Sequence, residues 1–343
     1  MIEAFAHLEG EPLDPAVVLV AQAAYHLDEL LPLAGELRRR GIPVEVCTPV
    51  PPESFGRRFR PSMRRHRGVL AAAGSQGRST ETFDSVTKRA LGLVVMNDWG
   101  LTRSLVDAVS HRGVPTFGWV EGVQDFDDVD TGRDRAAYRS VSHVFCLGEF
   151  GANKLTDCDV TTVGSSRLRK IWAEPPVDNT SDPMVTINSN FTYGVFTDAR
   201  RPWGKDAVGA CRESERPFTL SRHEAERGLS LDLRARHHDV SALLLRSTHL
   251  ISRFSTLGYE ALVRGVHLVY HNPHGEKVDT FTEVPGAIST VADQAGLVSA
   301  LQGPLDSGVV IRKRAQAFLN HHLRLGGAAA PAELAADVVE RSL

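Results

Sequence analysis

Along the chain, short runs of valine, leucine and isoleucine alternate with stretches whose apolar residues recur every three or four positions. Ala16 to Gln22 reads as a buried strand, His26 to Arg40 as a helix stopped by Gly41, and Val44 to Cys47 as the next strand. Leu91 to Met96, Leu101 to Ser110, Val114 to Trp119, His143 to Leu147 and Asp159 to Val163 continue the alternation. Ala173 to Pro183, rich in proline and polar residues, has the composition of a linker. Beyond it the pattern restarts with a strand at Met184 to Asn188, a polar loop to Trp203 and a helix from about Gly204. Phe218 to Ser221, His249 to Ile251 and Val266 to Tyr270 follow as strands, with helices near Val240 to Arg246 and from Ser255. Ala292 to Leu301, Ile311 to Leu323 and Pro331 to Leu343 read as closing helices.

Strands alternating with helices imply βαβ units on parallel sheets. The expected organisation is therefore two similar α/β halves, residues 1–172 and 184–343, joined by a linker at 173–183. The last helix has the option of packing back on the amino-terminal half. Each half is expected to be a doubly wound, Rossmann-like sheet, with the binding site in a cleft between them.

A chain of 343 residues is long for a single core, which agrees with two domains. Its 39 basic and 42 acidic residues give a net charge of −3, without the positive excess of a nucleic-acid-binding protein. Cys47, Cys146, Cys158 and Cys211 have neither metal-ligand nor disulfide-framework spacing, which points to reduced thiols and a cytoplasmic setting. The first residues, Met1-Ile2-Glu3-Ala4, lack the pattern of a signal peptide. No apolar run reaches the ~18 residues of a membrane span.

Five segments carry candidate chemistry. In Ser252-Arg253-Phe254-Ser255-Thr256-Leu257-Gly258-Tyr259-Glu260, a strand enters a small-residue turn and a helix opens on Ser255 and Thr256. Free N–H groups and the helix dipole at such a start suit a phosphate, and Glu260, one turn in, is placed to accept from a ribose diol. The same edge is continued by Asn188, Ser189 and Asn190 and by the segment with His274 and Lys277, a cation for a phosphate or donor sugar. After the strand ending at Trp119, Glu121 and Asp125 project from the carboxyl end of the sheet, where a general base would stand. The segment reads equally as a solvated acidic turn, and Asp127, Asp128 and Asp130 as surface. His26, at the first helix start, reads as a base, an acceptor ligand or simply a helix-start residue. Leu220-Ser221-Arg222-His223 ends a strand of the carboxyl half, so His223 would offset charge on a departing nucleotide. Arg57 to Arg67 holds six arginines in eleven residues, a local basic patch in which Arg57, Arg58 and Arg60 suit an anionic acceptor or membrane surface. A solvated loop is its plain alternative.

These segments resemble GT-B glycosyltransferases and their polymer-forming relatives, the CDP-glycerol glycerophosphotransferases. The opening Ala21-Gln22-Ala23-Ala24-Tyr25-His26 with Gly41 resembles the family's first strand, loop and helix, although Ala-Gln-Ala-Ala stands where a glycine-rich loop is usual. Trp119-Val120-Glu121-Gly122 is similar to a Trp-His-Gly segment, with Glu121 in the place of the base. Arg222-His223-Glu224 is similar in position to an Arg-x-His-Pro segment, without its proline, and Ser255 to Ala261 to the family's Ser/Thr-x-x-x-x-Glu-Ala pattern. The resemblance implies an inverting, metal-independent transferase. It would move a sugar or related group from a nucleotide-activated donor, a substrate rather than a cofactor, to a hydroxyl acceptor in cell-surface glycan synthesis. It implies acceptor binding by the amino half and donor binding by the carboxyl half, through Asn188, Ser189, His223, Ser255, Thr256, Glu260 and Lys277. The acceptor is a glycan, a lipid-linked chain or a small molecule, with peripheral contact to the inner membrane face among the expectations and no nucleic acid. Two other readings stand beside it: a UDP-sugar 2-epimerase, which shares the fold, and a nucleotide-binding scaffold without chemistry.

Overall fold

The computed structural model describes residues 4–9, 12–50, 60–74, 79–122, 126–191, 196–222 and 239–343. Its early strands are β1 (Ala4–His7), β2 (Ala16–Val20), β3 (Val44–Val50), β4 (Thr80–Thr82) and β5 (Ala90–Val95). Next come β6 (Thr116–Trp119), β7 (His143–Cys146), β8 (Asp159–Thr162) and β9 (Val185–Ser189). The last four are β10 (Phe218–Arg222), β11 (His249–Ser252), β12 (His267–His271) and β13 (Ile288–Val291). Helices are α1 (Leu27–Arg39), α2 (Arg60–Ala72), α3 (Phe83–Arg89), α4 (Gly100–Ser110), α5 (Glu149–Lys154) and α6 (Ser166–Ala173). They continue as α7 (Arg200–Glu213), α8 (Val240–Leu244), α9 (Leu257–Arg264), α10 (Gln294–Gln302), α11 (Gly308–His322) and α12 (Pro331–Ser342).

Two compact units result, and neither is continuous in sequence. The first comprises Met1–Glu121, Ala136–Arg169 and His322–Leu343, and the second Gly122–Arg135 and Lys170–His321. Residues 122–135 and 170–172 thus belong to the second unit, and 322–343, which hold the last helix, to the first. The physical reason for the latter is the apolar face of α12. Ala335, Ala336, Val338 and Val339 enter the same core as Leu30, Leu33 and Leu37 of α1, so burial rather than chain order decides where the helix rests.

The first sheet has the order β4-β1-β3-β2-β5-β6-β7-β8. Strands β3, β2, β5, β6, β7 and β8 are parallel neighbours, whereas β1 runs antiparallel to β3 and to β4. β2, Ala-Val-Val-Leu-Val, is buried throughout, as expected of a parallel strand covered on both faces. The antiparallel edge carries a buried ionic network. Arg89 donates at 2.6 Å to Glu45 and at 2.6 Å to Glu81, and the His7 nitrogens lie 3.1 and 3.2 Å from the same carboxylates. His7, Glu45 and Glu81 have the spacing of metal ligands, but the guanidinium between the carboxylates supplies the positive charge there.

The second sheet is wholly parallel, with the order β10-β9-β11-β12-β13. Its Val185, Ile187, Leu220, Ile251 and Val269 pack on Trp203, Ala207 and Cys211 of α7 and on Leu297 and Leu301 of α10. The loop read from sequence as running to Trp203 ends earlier, since Arg200 to Trp203 form the first turn of α7, where Pro202 costs no intrahelical hydrogen bond. Among the described residues no helix is long and apolar enough to cross a membrane.

Strand order fixes where a ligand can enter. In each sheet the chain steps to one side of the first parallel strand and then returns to the other, leaving a crevice at the carboxyl ends of the strands flanking the reversal. Those strands are β2 and β5 in the first unit, and β9 and β11 in the second.

Candidate functional site

At the first switch point, polar side chains from the loops after β2, β5 and β6 converge on Glu121. Tyr25 donates its hydroxyl proton to Glu121 Oε1, and Asn97 Nδ2 donates at 3.0 Å to Oε2 and at 3.0 Å to Gln22 Oε1. The Asn97 amide is oriented by Thr102, whose hydroxyl donates to Oδ1 at 3.1 Å. His26 is 1% exposed, and its Nδ1 accepts the backbone N–H of Gln22 at 3.1 Å. The proton of the neutral ring therefore sits on Nε2, 3.4 Å from Glu121 Oε1, an ion-pair separation longer than a formed hydrogen bond. Glu121 keeps 24% of its side chain exposed and Tyr25 47% of its surface, so this cluster opens outward through the two of them.

Tyr138 sets the backbone beneath the cluster. Its hydroxyl accepts the Glu121 N–H at 3.1 Å and donates to Met96 O at 3.0 Å, while its own N–H donates to Asp98 Oδ1 at 3.0 Å. Its ring lies against Gly118 of β6, where an added Cβ would come within 2.7 Å of Cδ1.

Of the catalytic candidates, Glu121 and His26 are brought together, whereas Asp125 lies outside the described residues. Sequence reasoning missed Tyr25, Asn97 and Tyr138 as parts of the site. Asn97 and Asp98 directly follow the apolar run ending at Met96, a position that projects from the carboxyl edge and so carried a readable signal. Tyr138 carried none, since its role comes from a φ of +60° and contacts distant in sequence.

At the second switch point, Asn188, Ser189 and Asn190 are 4%, 0% and 6% exposed. Arg253, 2% exposed, donates to Asn190 O at 2.7 Å, pairs with Glu276, and stacks 4.0 Å from the Phe191 ring centre. Glu276 also accepts from Tyr270 at 3.0 Å and lies 2.6 Å from His274 Nε2. One buried ion pair thus ties together the loops after β9, β11 and β12.

Helix α9 begins at Leu257, and its first-turn amides are already engaged. Leu257 N–H reaches Ser255 Oγ, Gly258 N–H the Ser255 carbonyl, and Tyr259 and Glu260 N–H the Thr256 carbonyl. An anion would therefore meet the half-buried Ser255 and Thr256 rather than a row of free amides inside the helix. Gly265 closes the helix with a φ of +82°, a left-handed position that glycine adopts without a Cβ penalty. Glu260, read from sequence as a ribose ligand, is 1% exposed with Oε1 3.1 Å from Arg264 Nε, which also reaches Glu174 at 3.4 Å through its other nitrogen. Its present partner is a neighbouring turn of its own helix.

Lys277 is exposed, and its backbone N–H donates to Val129 O at 2.8 Å, against the loop in which Gly132 approaches Lys277 Cβ. His223, Arg57 and Arg58 lie outside the described residues; Arg60 opens α2, and its side chain lies outside them too.

No protein-family model and no curated protein matches the chain by sequence. Solved structures match it in fold along almost its whole length. A Staphylococcus aureus MnaA structure with UDP aligns with a TM-score of 0.63 at 10% identity, covering 96% of both chains. A UDP-GlcNAc 2-epimerase from Methanocaldococcus jannaschii, in complex with UDP-GlcNAc and UDP, aligns at 0.55 and 11% identity, over 96% of this chain and 100% of that one. The wall teichoic acid polymerase TagF, soaked with CDPG, aligns at 0.54 and 11%, over 95% and 88%. Two Rossmann-like units with carboxyl-edge switch points, matched end to end by these structures, give this chain the GT-B fold.

Proposed function

We propose that the chain is a nucleotide-sugar-dependent enzyme that transfers a sugar or related group to a hydroxyl acceptor with inversion and without a metal ion. The carrying observation is the Glu121 carboxylate, gathered at the first switch point by Tyr25 and Asn97 and left partly open to solvent. In the transfer, the acceptor oxygen attacks the anomeric carbon as the bond to the donor phosphate breaks. Glu121 takes the acceptor proton, and the nucleoside diphosphate leaves. His26, with Nδ1 occupied by the Gln22 amide, positions Glu121 rather than acting as the base.

In the second unit the donor diphosphate falls to Ser255 and Thr256, with His223 and Lys277 as its cations. Glu260 meets a ribose only if its pair with Arg264 opens; otherwise it serves α9.

A UDP-sugar 2-epimerase is the second reading, supported by the UDP-GlcNAc 2-epimerase from Methanocaldococcus jannaschii and the putative one from Listeria monocytogenes, which share the fold at TM-scores of 0.55 and 0.62 beside TagF at 0.54. Incubation with UDP-GlcNAc in deuterated water, followed by NMR, separates the two. A transferase releases UDP only with an acceptor, whereas an epimerase places deuterium at C2 without one. Glu121→Gln is expected to abolish turnover while leaving nucleotide affinity in place. Binding with no turnover by the wild type, across UDP- and CDP-activated donors, would leave only the scaffold.

A further inference from the structure

The second sheet buries a polar row at its carboxyl edge that its own residues do not complete. Ser221, Asn188 and Ser252 are register partners on β10, β9 and β11, and so point to one face of the sheet. They are 0%, 4% and 0% exposed. Parallel strands covered on both faces are ordinarily apolar at every position, as Ile187, Leu220 and Ile251 are one step earlier. Ser252 Oγ reaches the Asn188 carbonyl at 3.5 Å, but Asn188 Oδ1 and Ser221 Oγ have no hydrogen-bond partner. Orphaned buried polar groups destabilise a fold, and native proteins complete them with a ligand or water.

Place and chemistry narrow what completes these two. Asn188 stands on β9 at the switch point, next to the loop held by Arg253, and Ser252 lies three residues before Ser255. An amide oxygen only accepts, and a diphosphate at neutral pH brings no proton to it. Arg253 is engaged by Glu276 and Asn190 O and pairs with neither orphan. The missing group must bring O–H or N–H donors.

We propose that Asn188 and Ser221 form a subsite for the hydroxyl-bearing group that a nucleotide donor carries, distinct from the diphosphate contacts at Ser255 and Thr256. This rests on the nucleotide-sugar reading above and specifies which part of the donor the buried row recognises. Ser221 thereby gains a role that its position before His223 did not suggest.

Calorimetric titration of wild type, Asn188→Leu and Ser221→Ala with UDP, UDP-GlcNAc, CDP and CDP-glycerol tests it, alongside thermal midpoints. Each variant is expected to bind the loaded donor about tenfold more weakly, the loss of one hydrogen bond to a ligand, with free-nucleotide affinity unchanged. Their midpoints are expected to equal or exceed wild type, since each substitution removes an orphan. Equal weakening for free and loaded nucleotides would overturn the subsite, as would unchanged affinity for both. A lowered midpoint with unchanged affinities would assign the pair to an internal water of the fold. If wild type binds none of the four, the nucleotide-sugar reading falls and the subsite with it.

Discussion

Gly118→Ala is the substitution that best tests how the first site is built. The new Cβ would stand 2.7 Å from Tyr138 Cδ1, 3.1 Å from Val141 Cγ2 and 3.4 Å from Tyr138 Cε1. Carbon atoms pack at about 3.5–4.0 Å, so the ring must retreat by about 1 Å. It has nowhere easy to go, because Tyr138 is fully buried and fixed by its hydroxyl to Met96 and Glu121 and by its amide to Asp98. Overpacking of this kind costs about 1–3 kcal/mol, and straining two hydrogen bonds adds about 1 kcal/mol each at most. The expected loss is about 1–5 kcal/mol, read as a lower urea midpoint by tryptophan fluorescence, with turnover reduced beyond what the folded fraction explains because Glu121 has lost its backbone anchor. The clash is isolated by repeating the substitution in a Tyr138→Ala background, where it should cost well under 1 kcal/mol. An equal cost in both backgrounds would refute the steric argument, and normal turnover in a destabilised Gly118→Ala would refute the link from Tyr138 to Glu121.

Arg89→Leu leaves Glu45 and Glu81 facing each other without their cation, and a loss of about 3–5 kcal/mol is expected on urea unfolding. Adding Glu45→Gln and Glu81→Gln should restore much of it; no recovery would mean that packing of the Arg89 stem, not charge, was lost. Stability of the second unit is expected to fall with acidification. Burial lowers His249 from 6.5 to about 3 and His271 to about 4, so below pH 6.5 the unfolded chain takes protons that the folded one refuses. By linkage, His271 alone removes about 3 kcal/mol as pH falls from 6.5 towards 4, and a urea midpoint unchanged between pH 7 and 5 would contradict this.

Periodicity in the chain was enough to predict alternating strands and helices on parallel sheets, because apolar runs and helical spacing are local consequences of burial, while the GT-B expectation came from the resemblance of particular segments and the fold agrees with it. It also placed Glu121, His26, Asn188 and Ser255 at strand ends, where parallel sheets present their loops. Tertiary structure alone decided the rest. That α12 packs on α1, an option the sequence left open, follows from matching apolar faces some 300 residues apart, which no window along the chain contains. One nitrogen of His26 is taken by the Gln22 amide, and Glu260 is paired with Arg264 inside its own helix. The unfilled partners of Asn188 and Ser221 emerged only once β9 and β10 were paired in register. A residue type announces what a side chain can bond, but the number of its bonds already taken is settled by what folding brings beside it.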